Sequence, residues 1–329
     1  MNKKITVIGG SGFVGTSLCQ KLSDRGVDFE VIDIRPSQRF PDNFKFGDVR
    51  DVKSLRDVIS GEVVVYLAAV HRDDIRDKRE YYRTNVVGAD NVATVCIEKG
   101  VEKIVFTSTV AVYGFAQPGT DESGKINPFN QYGETKYQAE ETLRMYQSSR
   151  KIDLIIVRPT VIFGEGNRGN VYNLLKQIAS GKFIMVGSGY NKKSMAYIGN
   201  VTAFLEACIE TRSKYALYNY IDTPDIDMNT LVRQVRKSLK GIDRVGMRLP
   251  YFLGLLAGYI FDVVGWLCNR NFPISTIRVK KFCSSTAFDS AKHELDNFLP
   301  PYTLKEGLER TLDSEFISPD PTREIFYTE

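Results

Sequence analysis

Tyr132 and Lys136 stand four residues apart in the run Gln131-Tyr132-Gly133-Glu134-Thr135-Lys136. That spacing brings both side chains to one face of a helix. A free phenol keeps its proton up to about pH 10, too high for a base at neutrality. An ammonium held beside it favours the phenolate and moves the pKa towards the working range. The weight of the pair comes from its place in the chain. It lies downstream of a glycine-rich loop and of a strand that ends in Thr107-Ser108-Thr109.

The elements that must position this pair can be read outward from the first strand. Ile5-Thr6-Val7-Ile8 is a short apolar run of the kind buried in a parallel sheet, and it enters Gly9-Gly10-Ser11-Gly12-Phe13-Val14-Gly15 directly. Glycines at 9, 12 and 15 permit a tight turn, close approach of a pyrophosphate, and packing of the next helix on the strand. A helix starting near Gly12 aims its free N–H groups and positive dipole end at those phosphates. Phe29-Glu30-Val31-Ile32-Asp33 gives a second strand that ends in an acid, placed to accept from both adenosine-ribose hydroxyls. A 2′-phosphate is repelled there, so NAD is expected rather than NADP, with Arg35 nearby. Asp48 and Val49 follow Phe44–Gly47 and suit adenine. Val63–Leu67 runs into Ala68-Ala69, small residues against which a nucleotide can lie. The strand from Val101 to Phe106 delivers Thr107, Ser108 and Thr109 to the same carboxyl edge, where ligands of open parallel sheets bind.

At 329 residues the chain has ample core for one large or two unequal domains. Its formal charge of +4 is too small to argue for nucleic acid, and no basic arm is present. Five cysteines without CxxC spacing suit reduced cytosolic thiols. With two histidines, His71 and His293, a histidine metal cluster or a Ser-His-Asp hydrolase is not expected. The first apolar run is too short for a signal peptide. Strand and helix patterns alternate to about residue 163, so the expected fold is a Rossmann-type, doubly wound α/β parallel sheet with a smaller C-terminal substrate lobe. The expected division is a NAD-binding domain over 1–163, with segments near 194–221 returning to it. A substrate-binding lobe takes 164–193 and 222–318, and 319–329, with Pro319 and Pro321, forms a poorly anchored tail.

On these motifs the chain resembles the extended short-chain dehydrogenase/reductase family, in its NAD-dependent epimerase/dehydratase branch. The markers are Gly9-x-x-Gly12-x-x-Gly15, Asp33, Asp48, Leu67-Ala68-Ala69, Asn85, Thr107-Ser108-Thr109-x-x-Val112-Tyr113-Gly114, Tyr132-x-x-x-Lys136 and Arg158-Pro159. The stretches His71-Arg72-Asp73-Asp74, Asn167–Gln177 and Arg278–Cys283 are similar to members acting on N-acetylglucosamine carried by diphosphate on undecaprenol. The resemblance implies reversible C4 epimerisation through a 4-keto sugar, for O-antigen or other surface polysaccharide synthesis. It implies that Tyr132 takes the C4 hydroxyl proton, Lys136 binds the nicotinamide ribose, and Thr109 orients the hydroxyl. Asn85 is implied to place water and backbone near Lys136, and Pro159 and Val161 to border the cofactor. His71, Ser108 and Tyr113 are implied to line the sugar pocket, with aromatic core packing the alternative for Tyr113, and Asn170 to lie at the diphosphate. Lys193, Arg278 and Lys280 are candidate phosphate contacts because cations suit a charge-dense diphosphate. Sugar dehydratases carry Asp-Glu where this chain has Val110 and Ala111, which disfavours elimination. Nucleotide-sugar relatives carry Arg-Asp at Lys193-Ser194 and Asp at Gly199, which puts uridine recognition in doubt. An epimerase of free UDP-N-acetylglucosamine and a 3β-hydroxysteroid-type lipid dehydrogenase remain alternatives, and family members are often homodimers.

Leu249–Leu267 is a nineteen-residue apolar stretch with one charge, Asp262, flanked by Arg248 and Arg270. Its length permits a transmembrane helix, but Asp262 near its middle is costly there. The expectation is a helix at the bilayer interface or against a lipid-linked substrate, the alternative a buried helix of the small lobe. The protein is then cytoplasmic, on the inner face of the bacterial membrane.

Overall fold

Parallel pairing organises the first two thirds of the chain. The computed structural model describes residues 3–72, 75–149, 151–268, 275–290, 295 and 298–328. Asp73, Asp74, Arg270, Lys292 and His293 lie outside the described residues. In chain order the first half runs β1 (Ile5–Ile8), α1 (Phe13–Asp24), β2 (Phe29–Asp33), β3 (Phe44–Phe46), α2 (Val52–Arg56), β4 (Val63–Tyr66), α3 (Arg79–Tyr81), α4 (Gly88–Glu98), β5 (Lys103–Thr107), α5 (Gln131–Ser148) and β6 (Asp153–Pro159). There follow β7 (Val161–Phe163), α6 (Asn170–Ala179), β8 (Met185–Val186), β9 (Lys192–Lys193), β10 (Met195–Tyr197), α7 (Ile198–Glu210) and β11 (Tyr215–Tyr220). The last part holds β12 (Ile226–Asp227), α8 (Met228–Lys240), β13 (Arg248–Leu249), α9 (Tyr251–Cys268), α10 (Thr276–Cys283) and α11 (Leu304–Leu312).

Seven strands join in the order β11-β6-β5-β4-β1-β2-β3, all parallel. The chain reverses direction across the sheet between β1 and β4, and the crevice beyond their carboxyl ends is where such sheets bind ligands. Strands buried on both faces are largely apolar, as Val63–Tyr66 is, and the one polar residue of Ile5–Ile8, Thr6, donates its hydroxyl to Glu30 at 2.5 Å. Leu18 and Leu22 of α1 and Val201 and Leu205 of α7 cover one face, while Val92 and Cys96 of α4 and Ala139 and Leu143 of α5 cover the other. A separate core around Phe163, Leu175, Met195, Leu231 and Leu308 holds the smaller lobe together.

Two departures from expectation matter for the site. The segment near 194–221 divides: β11 extends the main sheet beside β6, whereas β10 pairs with β7 outside it. The stretch 319–328 is not a loose tail. Phe326 bridges Asn167, its N–H donating to the Gly166 carbonyl at 2.9 Å and its carbonyl accepting from Arg168 N–H at 2.8 Å. Short segments acquire such anchors when a loop offers unpaired backbone groups, here the turn after β7.

The apolar stretch forms α9, whose mean hydropathy of 1.7 and eighteen residues are long and apolar enough to cross a membrane by length and composition alone. The buried-helix alternative is overturned, since only Gly254 and Gly258 of α9 are buried. A Cβ at Gly254 would meet Val186 of β8, and one at Gly258 would meet the backbone of Thr276. Asp262, one further turn along that face, accepts from Thr276 N–H at 3.0 Å, at the start of α10. The opposite side stays bare: Phe252 and Leu267 are each 68% exposed and Trp266 is 81% exposed.

Candidate active site

The loop after β1 is shaped by close approach. Gly9 has φ +83°, and a Cβ there would meet the Ala68 backbone nitrogen at 2.5 Å. A Cβ on Gly15 would meet Gly9 O at 2.5 Å, so α1 can sit this near the loop only without a side chain. Gly12 is the N-cap of α1, followed by buried Phe13 and half-buried Val14. Asp33, at the end of β2, closes the turn by accepting from Ser11 N–H at 3.1 Å and Arg35 N–H at 3.0 Å. Its position at the loop depends on backbone donors and leaves carboxylate lone pairs for a diol. Asp48 is less available than expected. Arg50 grips its carboxylate through three contacts of 2.7–3.1 Å and holds it below the ordinary carboxylate range. Val49 is buried against the Gly88 end of α4.

Around the end of β4, Leu67 and Ala68 both donate their N–H groups to Ile8 O. Asn85 sits in a π-helical turn, Tyr82–Val87, a local widening often found at functional sites. Its Oδ1 accepts from Val70 N–H at 2.9 Å, and its Nδ2 donates to Val70 O and Thr135 Oγ1, both at 3.0 Å. Asn85 thus ties the segment after Ala69 to α5. Holding Val70 and the residue before Lys136 is the backbone-placing part of the role expected for it.

Asn130 caps α5, its side chain accepting from Gly133 N–H at 2.9 Å. A Cβ on Gly133 would meet Ala111 O at 2.6 Å, so this glycine lets the helix close on the loop that carries Thr109. The Thr109 side chain is near enough to act on the Tyr132 phenol, and Tyr132 faces His71 with ring centroids 6.4 Å apart. Thr109 also caps its own turn, accepting from Ala111 N–H at 3.1 Å. Ser108 is buried, and Val110 and Ala111 occupy the next two positions.

Burial governs the titration here. Desolvation pushes the Tyr132 phenol up to about 12, against the lowering effect of Thr109. The same burial pulls Lys136 down to about 7, with Glu140 opposing. The expectation that Lys136 draws the phenol down is therefore not what this geometry gives. The Lys136 ammonium lies 4.0 Å over the Phe106 ring, and desolvation is what governs the phenol. His71 is also lowered, chiefly by desolvation and then by Lys136 and Arg72, although the residue is exposed; the main-chain oxygens of Ala69 and Thr328 oppose the shift.

Below Lys136 lies a buried charge network that the sequence reading missed. Glu140, fully buried, accepts from Arg158 Nε at 2.8 Å and Nη2 at 2.5 Å, and from Arg144 Nη2 at 2.7 Å. Arg158 Nη1 donates to Tyr113 Oη at 2.7 Å, and Tyr113 donates to Asn219 Oδ1 at 2.9 Å. Tyr113 is therefore a core residue, 1% exposed, and not a lining of the sugar pocket. The available signal was the second i,i+4 step of α5, Lys136 to Glu140, continuing to Arg144.

Among the phosphate candidates, Lys193 is placed elsewhere. Its ammonium donates to Lys281 O at 3.0 Å and Ser284 O at 2.6 Å, carbonyls at the C-terminal end and cap of α10, where a cation is favourable. Desolvation pulls it down to about 8. Arg278 and Lys280 are exposed on α10, and Asn170 opens α6. Lys280 lines a cavity of about 690 Å³ with Phe115, Val186, Tyr251, Ile277 and Cys283. A second depression of about 440 Å³ is bordered by Tyr132 and Phe129. Phe115 and Phe129 pack with ring centroids 4.9 Å apart, joining the margins of the two. Pro159 is buried at the end of β6, and Val161 is exposed beside it.

The residues at the sheet's carboxyl edge fit a dinucleotide. Ser11 Oγ, Thr107 Oγ1 and Ser108 Oγ are buried there without a hydrogen-bond partner, a cost that native proteins seldom bear without a function. The glycine loop supplies helix N–H groups for phosphates.

Residues 5–219 match the family model described as NAD dependent epimerase/dehydratase family. The chain is 48% identical over 324 residues, 96% of each sequence, to an N-acetyl-alpha-D-glucosaminyl-diphospho-ditrans,octacis-undecaprenol 4-epimerase of Escherichia coli O157:H7. It is 27% identical, over 94% of its length and 95% of the relative's, to a UDP-glucose 4-epimerase of Vibrio cholerae. A UDP-glucuronic acid 4-epimerase from Bacillus cereus, solved in complex with NAD, shares the fold, with TM-score 0.70, 20% identity and coverage of 94% and 97% of the two chains.

Proposed function

We propose, from the premise that this chain belongs to the NAD dependent epimerase/dehydratase family, that it inverts C4 of N-acetylglucosamine linked through diphosphate to undecaprenol. The cofactor is NAD, which when bound takes the C4 hydride and returns it, so no net oxidant is consumed. Gly9, Gly12 and Gly15 admit its phosphates and Asp33 its adenosine ribose. Tyr132 accepts the proton of the C4 hydroxyl and gives it back to the opposite epimer. Thr109 orients that hydroxyl between its own Oγ1 and the phenol. Burial resists charge on Tyr132 and on Lys136 alike, so a phenolate and an ammonium form at less cost together than apart. Valine and alanine at 110 and 111 hold no proton, so neither can serve elimination.

The observation that carries the reading is Tyr132 beside Thr109 at the sheet's carboxyl edge, in a chain 48% identical to an epimerase of that lipid-linked sugar. The shape of the small lobe supports an amphiphilic substrate. From the depression at Tyr132, the Phe115–Phe129 pair leads to the larger cavity bordered by Tyr251 of α9. The bare face of α9 meets the bilayer interface. Spanning would strip Gly254, Gly258 and Asp262 from β8 and α10, so the helix lies along the membrane's inner face. The purified chain, given UDP-N-acetylglucosamine and the undecaprenyl-diphospho-sugar separately in detergent, should turn over only the second efficiently. Comparable rates on both would return the reading to a nucleotide-sugar epimerase.

A further inference from the structure

Residues 323–328 lie along the cofactor cleft, and the function above gives them no task. At one end Glu324 is half-buried near Arg35 and Arg39, the two arginines that follow Asp33. In the middle, the Phe326 ring packs against Phe13 at 5.8 Å between centroids, and Phe13 is the first residue of α1 after Gly12. At the other end Thr328 Oγ1 donates to Asn167 Oδ1 at 2.7 Å, and its main-chain oxygen reaches His71, the residue facing Tyr132. The segment thus passes the adenosine-ribose acid, the phosphate loop and the catalytic phenol in turn. Extended chain covers about 3.3–3.6 Å per residue, so Glu324 to Thr328 reaches roughly 13 Å. Its two backbone hydrogen bonds to Gly166 and Arg168, around a single β-bridge at Phe326, fix it in place.

We infer that residues 323–328 form an outer wall of the NAD site, a strap that holds the dinucleotide in place through repeated turnovers. The inference rests on NAD binding in this cleft and deepens that part of the functional reading. It does not depend on whether the sugar is carried by lipid or nucleotide. An enzyme that returns its hydride to the same substrate gains from slow cofactor release. Phe326, clamped on the first residue of the phosphate-binding helix, supplies that restraint from the solvent side. Thr328 at His71 fixes the strap's far end on the residue that faces Tyr132. Cofactor release then requires the strap to peel from Gly166–Arg168.

The test measures release, not catalysis. The full chain is loaded with NADH and chased with excess NAD⁺ while NADH fluorescence is followed. Deleting residues 322–329 should speed release roughly tenfold or more, since changes at one interface appear mainly in the off-rate. Phe326→Ala should speed it by a smaller factor. Circular dichroism verifies that each variant is folded. Because the deletion can disturb the small-lobe core, the intact chain supplies a second reading: trypsin cleavage after Arg323, followed by mass spectrometry. Saturating NAD⁺ should slow that cleavage several-fold. Release from the folded deletion variant within twofold of the parent, or cleavage after Arg323 indifferent to NAD⁺, overturns the inference. A failure of lipid-linked turnover with these results intact would count against the substrate alone.

Discussion

At one end of the cleft Glu140 is enclosed by Arg158 and Arg144, and Lys136 lies buried over Phe106. At the other end α9 turns Phe252, Trp266 and Leu267 to the surface. The first region places charge where charge is costly, and the second leaves apolar surface where apolar surface is costly. Both violations make sense when a substrate with a sugar head and a hydrocarbon tail bridges them. In the proposed function, buried charge is what fixes the geometry of proton transfer, and bare leucine and tryptophan are the surface offered to the bilayer that holds the tail. Neither region stabilises the fold cheaply, which is how functional regions differ from core.

The comparison breaks most visibly at the phenol. Tyr132→Phe should reduce epimerisation by ~10²–10⁴, the worth of a positioned acid-base group, while NADH still binds by fluorescence titration. Near-normal turnover would move the base elsewhere. Next in size is the network beneath. Glu140→Gln leaves Arg158 facing an uncharged partner in the interior and should cost about 3–5 kcal/mol in urea unfolding, as broken buried pairs do. A loss below 1 kcal/mol would mean that the charges are hydrated and the region is not built as described.

The apolar end sharpens the contrast from the other side. Leu256→Glu with Leu267→Glu should abolish sedimentation with anionic vesicles, yet shift stability by only about 0.5 kcal/mol because the positions are exposed. Destabilisation of several kcal/mol would reveal a covered face instead. The buried ammonium also sets a dependence on pH. Lys136 has a folded pKa of about 7, below the unfolded value near 10.4. Between these the unfolded chain binds more protons, so unfolding free energy should rise with pH from about 7 to 10. Lys136→Met should remove that part of the slope, and an identical slope in the variant would place the ammonium in solvent.

The sheet was legible because fully buried parallel strands write themselves as continuous apolar runs, and the loop because Gly9 and Gly15 have no substitute at their contacts. Tyr132 and Lys136 were legible through helical spacing. Glu140 was not, since its partner Arg158 arrives from a strand eighteen residues on and only the tertiary fold brings them together. Lys193 looked like a phosphate ligand because sequence gives a cation's charge but not the carbonyls that claim it. The strap at Phe326 was hidden for a related reason: its anchors are backbone groups of Gly166 and Arg168, which carry no side-chain signature. The apolar stretch at 249–267 declared its hydropathy. Which face packs inward depended on Gly254 and Gly258, small residues that bury without appearing hydrophobic.

Epimerisation by hydride return has one direct signature. The undecaprenyl-diphospho-N-acetylglucosamine substrate, carrying deuterium at C4, is incubated with purified protein and no added cofactor, and the product sugar is analysed by mass spectrometry and NMR. The account predicts N-acetylgalactosamine that retains the deuterium at C4, with no accumulation of NADH. Product carrying solvent hydrogen at C4 would contradict it.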